Sequence, residues 1–265
     1  MRMLSTIRRY LVHLRGGGES WPAVDITLPG QRHFHLVGSI HMGTRDMAPL
    51  PARLLEKLRH CDGLIVEADI THSDSPFPPE PDRPPLHTRL SPPLWQQLCL
   101  LTDELALPIY SIDTLPAWRV ALVLQIYQAR QLGLYPEYGI DSQLLTAAHS
   151  QGIAVQELEG AERQVALLTT LDDDGMGLLS DTLTHWHTNA RLMQIMISWW
   201  LSSPPRGDHV ALPNTFGEAL YDVLMLQRNR AWQRYLSALP AGNYMVAVGA
   251  LHLYGENNLP GMLRP

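Results

Sequence analysis

Cysteine is nearly absent. Cys61 and Cys99 are the two in 265 residues, and they lack the Cys-x-x-Cys spacing of a zinc knuckle or a dithiol redox centre. Two free thiols suit a reducing cytoplasm. Long apolar runs are missing as well: no stretch approaches the roughly 18 to 20 apolar residues of a membrane-spanning helix. The basic start (Arg2, Arg8, Arg9, Arg15) is not followed by the apolar segment of about 7 to 15 residues and small-residue cleavage site of an export signal. The chain therefore reads as cytoplasmic. Positive charge is also in short supply, with 20 basic against 26 acidic side chains and a net charge of -6. Such a field repels nucleic acid and anionic lipid, which leaves a peptide or small molecule as the expected partner. RGGGES at residues 15–20 lacks both the spacing and the lysine of a phosphate-binding loop.

What is present is an alternation of strand and helix signals. The chain is 45% hydrophobic and long enough to bury a sizeable core, so residues 1–265 read as one domain. Residues 21–28 and 32–37 flank the turn residues Pro29 and Gly30 and read as a hairpin. Helical spacing follows over 50–59, then a buried-strand run at 64–66. The alternation continues with helix 94–105, strand 109–112, helices 117–132 and 141–150, strand 154–158 and helix 161–171. The longest helices are read at 181–201 and 214–239, with Asn214 placed to cap the second. A last buried strand is read at 244–248. The pattern is that of an α/β fold with a mixed central sheet flanked by helices, and two similar strand ends hint at internal duplication. Residues 75–85 contain six prolines and read as a surface loop, with a lid over the site as the alternative.

Three apolar runs end alike: FHLV meets Gly38 and His41 in GSIH, LIV meets Glu67, and MVAV meets Gly249 and His252 in GALH. Carboxyl ends of strands in open α/β sheets form the crevice where ligands bind. His41, Glu67 and His252 are therefore expected to converge, although the histidines lie 211 positions apart (252 minus 41). Glycine before such a group permits positive φ and close approach of backbone or ligand. Two chemistries suit this set. Imidazoles and a carboxylate can hold a divalent metal such as Zn²⁺, Mn²⁺ or Co²⁺ that activates water. Without a metal, His41 or Glu67 can serve as general base and His252 as acid or electrostatic stabiliser. Each residue also has a structural reading, as a hydrogen-bonded histidine or a capped buried carboxylate.

These strings, with WPAVDITLPG, YGIDSQLL, LEGAERQ, LTHWHTNARL and LYDVLMLQRN, resemble the TraB/GumN family, which includes TIKI-type metal-dependent proteases. The resemblance covers nearly the whole chain. It implies an α/β fold akin to erythromycin esterases and haem-binding ChaN proteins, and a metal-dependent hydrolase site, peptidase-like, at Gly38, His41, Glu67, Gly249 and His252, with the metal on His41, Glu67 and His252. It also implies roles for Arg228 and Asn229 late in a helix, and supporting roles for Asp141 and Glu159. Arg228 shares a helical face with Leu224, Met225, Trp232 and Tyr235, where a cation needs a partner such as Glu67. A stem running past the aromatics to a surface carboxylate is the alternative. Many relatives are exported or membrane attached, so extracellular proteolysis does not carry over. Binding or sequestration of a peptide or small effector without turnover, and haem binding, are the competing functions.

Other histidines compete for the site. His33 and His35 fall on one strand face and form the strongest rival ligand pair. His185 and His187 in a helix point roughly 200° apart and make a poor clamp. His13, His60, His72, His87, His149 and His209 show no partner in the sequence and read as surface residues. Trp199 and Trp200 read as core or rim.

Overall fold

The computed structural model describes residues 19–69, 79–202, 204–206 and 210–264. The basic start, His13, His72, His209, most of RGGGES and the first part of the proline-rich segment lie outside these residues. The strands are β1 (Ala23–Leu28), β2 (Arg32–Ser39), β3 (Gly63–Val66), β4 (Val155–Glu157) and β5 (Gly242–Gly249). The helices, in chain order, are α1 (Ala52–Arg59), α2 (Leu86–Arg89), α3 (Pro92–Glu104), α4 (Ala117–Gln131), α5 (Ile140–Gln151), α6 (Ala161–Thr169), α7 (Met176–Thr184), α8 (Trp186–Leu201), α9 (Glu218–Tyr221), α10 (Gln227–Ala238) and α11 (Leu259–Leu263). None of these helices is long and apolar enough to cross a membrane.

The five strands form one mixed sheet in the order β1-β2-β5-β3-β4. β1 pairs antiparallel with β2, as the hairpin reading expects, and β2, β5, β3 and β4 run parallel. The last strand in the sequence is thus the central one. Alternation along β5 explains how it holds that place: Tyr244, Val246 and Val248 enter one core with Phe34, Leu36 and Ile65. Met245 and Ala247 enter the other with Val37, Leu64 and Val66. A strand buried on both faces has apolar residues at every position. Trp199, Trp232 and Leu236 cover the first face, while Leu54 and Leu58 of α1 and Leu144 and Leu145 of α5 cover the second. Helices α2, α3, α4 and α7 gather around a third cluster that includes Trp118, Leu124 and Leu179.

Three local readings are corrected. The strand expected at 109–112 is a 3₁₀ turn, Ile109–Ser111; Pro108 precedes it, and among the described residues this short apolar run pairs with no strand. The helix expected over 181–201 is broken at His185, which ends α7. Asn214 does not cap a helix from 214: its side chain accepts from the Phe216 N–H, and the helix begins at Glu218 behind Gly217. That segment then passes through a π-helical turn, Asp222–Leu226, before α10. The described part of the proline-rich segment is irregular, and Arg83 within it binds Asp174.

Candidate active site

Parallel pairing puts the carboxyl ends of β2, β5, β3 and β4 on one edge. His41 lies two residues past β2 and Glu67 follows β3. His252 closes the 3₁₀ turn Ala250–His252 after β5, and Glu159 lies two residues past β4. Arg228 reaches across this edge from α10. Its Nη2 ion-pairs with Glu67 and lies 3.0 Å from Glu159 Oε2, its Nε donates to Glu159 Oε1 at 3.0 Å, and its Nη1 donates to His252 Nε2 at 3.2 Å. The guanidinium also lies over the Trp232 ring, 4.6 Å from the centroid, and Trp232 Nε1 donates to Glu159 at 3.0 Å. A cation that is only 15% exposed, against carboxylates that are 6% exposed, is tolerable only because each charge meets an opposite one. The reading in which Arg228 runs out to a surface carboxylate is set aside by these partners.

The rest of this network is equally satisfied. Glu67 Oε1 accepts the Gly249 N–H at 2.7 Å, and Oε2 accepts from Gln164 at 3.2 Å. Asn229 gives its amide N–H to the Asn257 carbonyl, so its oxygen faces His252 Nδ1 at 2.7 Å. Nδ1 is therefore the protonated nitrogen and Nε2 the acceptor for Arg228. The motif glycines act by close approach rather than by handedness: neither Gly38 nor Gly249 has a positive φ. A Cβ on Gly38 would meet Ala250 at 3.3 Å and one on Gly249 would meet Glu67 at 3.4 Å. The Gly38 carbonyl accepts from buried Trp200 at 3.0 Å and its N–H donates to Pro22.

His41 is built differently. Its Nδ1 lies 2.9 Å from Asp141 Oδ2, with the imidazole 63% exposed and the carboxylate 6% exposed. Two loops are laid against each other to bring the pair together. Gly43 and Tyr135 exchange backbone hydrogen bonds at 3.0 and 2.8 Å, and Ile140 N donates to the Ile40 carbonyl at 2.9 Å. A Cβ on Gly139 would fall 2.3 Å from the His41 carbonyl, and one on Gly43 would fall 2.1 Å from that of Tyr138. Only glycine allows that approach.

Charge follows geometry. Burial works against the Glu67 carboxylate, but Arg228 above all, with the Gly249 N–H, brings its pKa down to about 2. Burial pushes His252 down to about 3, aided by Arg228, so the ring is neutral at ordinary pH. Asp141 pushes His41 up to about 9, with Glu67 adding to the effect; water at its open edge screens part of that push. Arg228 stays charged because Glu67 and Glu159 outweigh its burial.

The residues in this arrangement do not fit a divalent ion held by His41, Glu67 and His252. The Nε2 lone pair of His252 and an oxygen of Glu67 both accept from Arg228, and a metal would have to displace that guanidinium. Among the described residues, the one cluster of potential ligand atoms within 4.8 Å of one another is Glu19, Asp25 and His35. There His35 accepts from Trp21 at 3.1 Å and faces Asp25 at 2.6 Å, while Lys57 pairs with Glu19. His33 binds Thr27 instead, so the HFH pair does not converge. His60 and His149, read as unpartnered, bind Glu56 and Asp69.

Two openings lie near this network. A cavity of about 920 Å³ lies beside the turn carrying His252 and is lined by Leu212, Phe216, Met225 and Tyr254, with Glu218 and Glu256. A smaller groove of about 350 Å³ reaches Glu159 and Arg228. Glu159, expected in a supporting role, also obeys the strand-end rule, since it follows β4 as Glu67 follows β3. Trp232 lies four residues from Arg228, on the same helical face. Gln164 left no signal. Over 264 residues, covering 100% of both chains, the sequence is 57% identical to the uncharacterized protein YbaP of Escherichia coli (strain K12). It is 56% identical to the protein of that name in Shigella flexneri, at the same coverage. No solved structure matches. Residues 23–265 match the TraB/PrgY/gumN family, and the chain belongs to that family.

Proposed function

We propose that the protein is a hydrolase of peptides or related amides or esters, with His41 as general base. One observation carries this reading: His41 alone in the set keeps a ring nitrogen open to solvent while a buried carboxylate fixes the other. Glu67 is saturated and held near pKa 2, and buried His252 is neutral with both nitrogens bonded. Neither suits proton transfer. Water at His41 Nε2 gives up a proton as its oxygen attacks the substrate carbonyl. Asp141 and Glu67 stabilise the resulting imidazolium, which then protonates the leaving amine or alkoxide. The cavity beside the His252 turn has the size of a small-molecule or peptide side-chain site.

A base raised to about 9 is free only when the pH approaches that value. Turnover should therefore rise from pH 7 towards 9 and level above it. The test is a screen of peptide, amide and ester pools by mass spectrometry, followed by a pH profile of any substrate found. Cleavage abolished in His41→Gln supports the reading. Recovery of every bound compound unchanged after long incubation overturns it in favour of sequestration.

A further inference from the structure

The chain is acidic overall, with 20 basic and 26 acidic side chains, yet the groove of about 350 Å³ beside α10 inverts that balance. Arg163 from α6 and Arg230 and Arg234 from α10 line it, with Arg228 reaching it from the network and Glu159 as its one carboxylate. Glu159 is already engaged by Arg228 and Trp232. Arg230 has only a 3.9 Å pair with Asp222, and among the described residues no ion pair engages Arg163 or Arg234. Arg230 and Arg234 stand four residues apart, so two like charges share one face of the helix and repel. Arg163 and Arg234, without an ion pair among the described residues, with Arg230 beside them, offer guanidinium forks for the paired oxygens of a carboxylate or phosphate.

We propose that this groove binds the anionic end of the substrate, a terminal carboxylate or a phosphate group. The inference rests on the hydrolase reading for what happens next to that end, but binding can be measured without turnover. The test uses one pooled set of short peptides made as free acids and as C-terminal amides, with inorganic phosphate as a separate probe. Binding is followed by calorimetry on the full chain and on the double variant Arg163→Gln, Arg234→Gln. Both substituted arginines are exposed, and thermal unfolding checks that the variant is folded. Free acids should bind at least about tenfold more tightly than amides, and the difference should vanish in the variant. Phosphate competing with the free acids at millimolar concentration identifies phosphate as an accepted source of the anion; failure to compete narrows the site to carboxylates. Equal binding of acids and amides, with no protection by phosphate, overturns the proposal. Tight binding of free acids without any cleavage leaves the groove standing and contradicts only the hydrolase reading.

Discussion

The two GxxH motifs end in the same three-residue spacing and serve opposite purposes. At the first, His41 leaves the sheet into a loop that faces solvent, and one buried carboxylate holds its inner nitrogen. At the second, His252 turns inward beneath Arg228, and both its nitrogens are spent on the protein. The difference lies in what each strand is packed beside. β5 is the central strand, with α10 across its end supplying Arg228 and Asn229. Past the end of β2, His41 lies against the 135–140 loop, and the first turn of α5 behind it contributes Asp141 through the approach at Gly139. A sealed network sets position and field, and an open pair moves the proton.

The largest effect should come from opening the sealed side. Arg228→Met strands Glu67 and Glu159 in a buried setting and should cost about 3–5 kcal/mol of stability, read from urea unfolding. A loss below about 1 kcal/mol would show that the network is not held by its charges. On the open side the cost should fall on activity instead. His41→Gln is expected to lower turnover by roughly 10²- to 10⁴-fold while costing about 1–2 kcal/mol of stability, because buried Asp141 exchanges a charged partner for an amide donor; a variant that unfolds or stays active erases the contrast. Gly139→Ala tests the join between the two loops. Its Cβ has no room at the His41 carbonyl, so it should cost about 1–3 kcal/mol and lower turnover as the Asp141 contact slips. The smallest effect is expected from chelation. Elemental analysis of fresh protein should find no stoichiometric metal, and EDTA should leave turnover unchanged. Metal loss with loss of activity would mean that Arg228 yields its two acceptors to an ion.

The sheet was legible because β3, most of β5 and the second half of β2 are apolar runs that end in polar residues, so FHLV, LIV and MVAV announced both the core and its edge. His41, Glu67 and His252 were found by that rule, and Glu159 would have been. The division of labour between the histidines was not legible. It depends on which strand becomes central, and that is decided by β5 entering between β2 and β3 from the far end of the chain. The break at His185 and the π-helical turn before α10 escaped notice for a related reason. Local periodicity continues through both, and only tertiary packing decides where the helix bends. The strand expected at 109–112 shows the reverse case: a short apolar run that joins no sheet among the described residues becomes a turn.

The most direct test of the contrast is an NMR titration of the imidazole resonances, with His41 assigned by its disappearance in His41→Gln. The account predicts that His41 titrates well above the ordinary histidine value of about 6.5, shifted towards 9, and returns to that value in Asp141→Asn. It predicts that His252 stays neutral, with its proton on Nδ1, until the pH falls towards about 3. His41 and His252 titrating together between pH 6 and 7 would contradict it, because the two motifs would then be chemically equivalent.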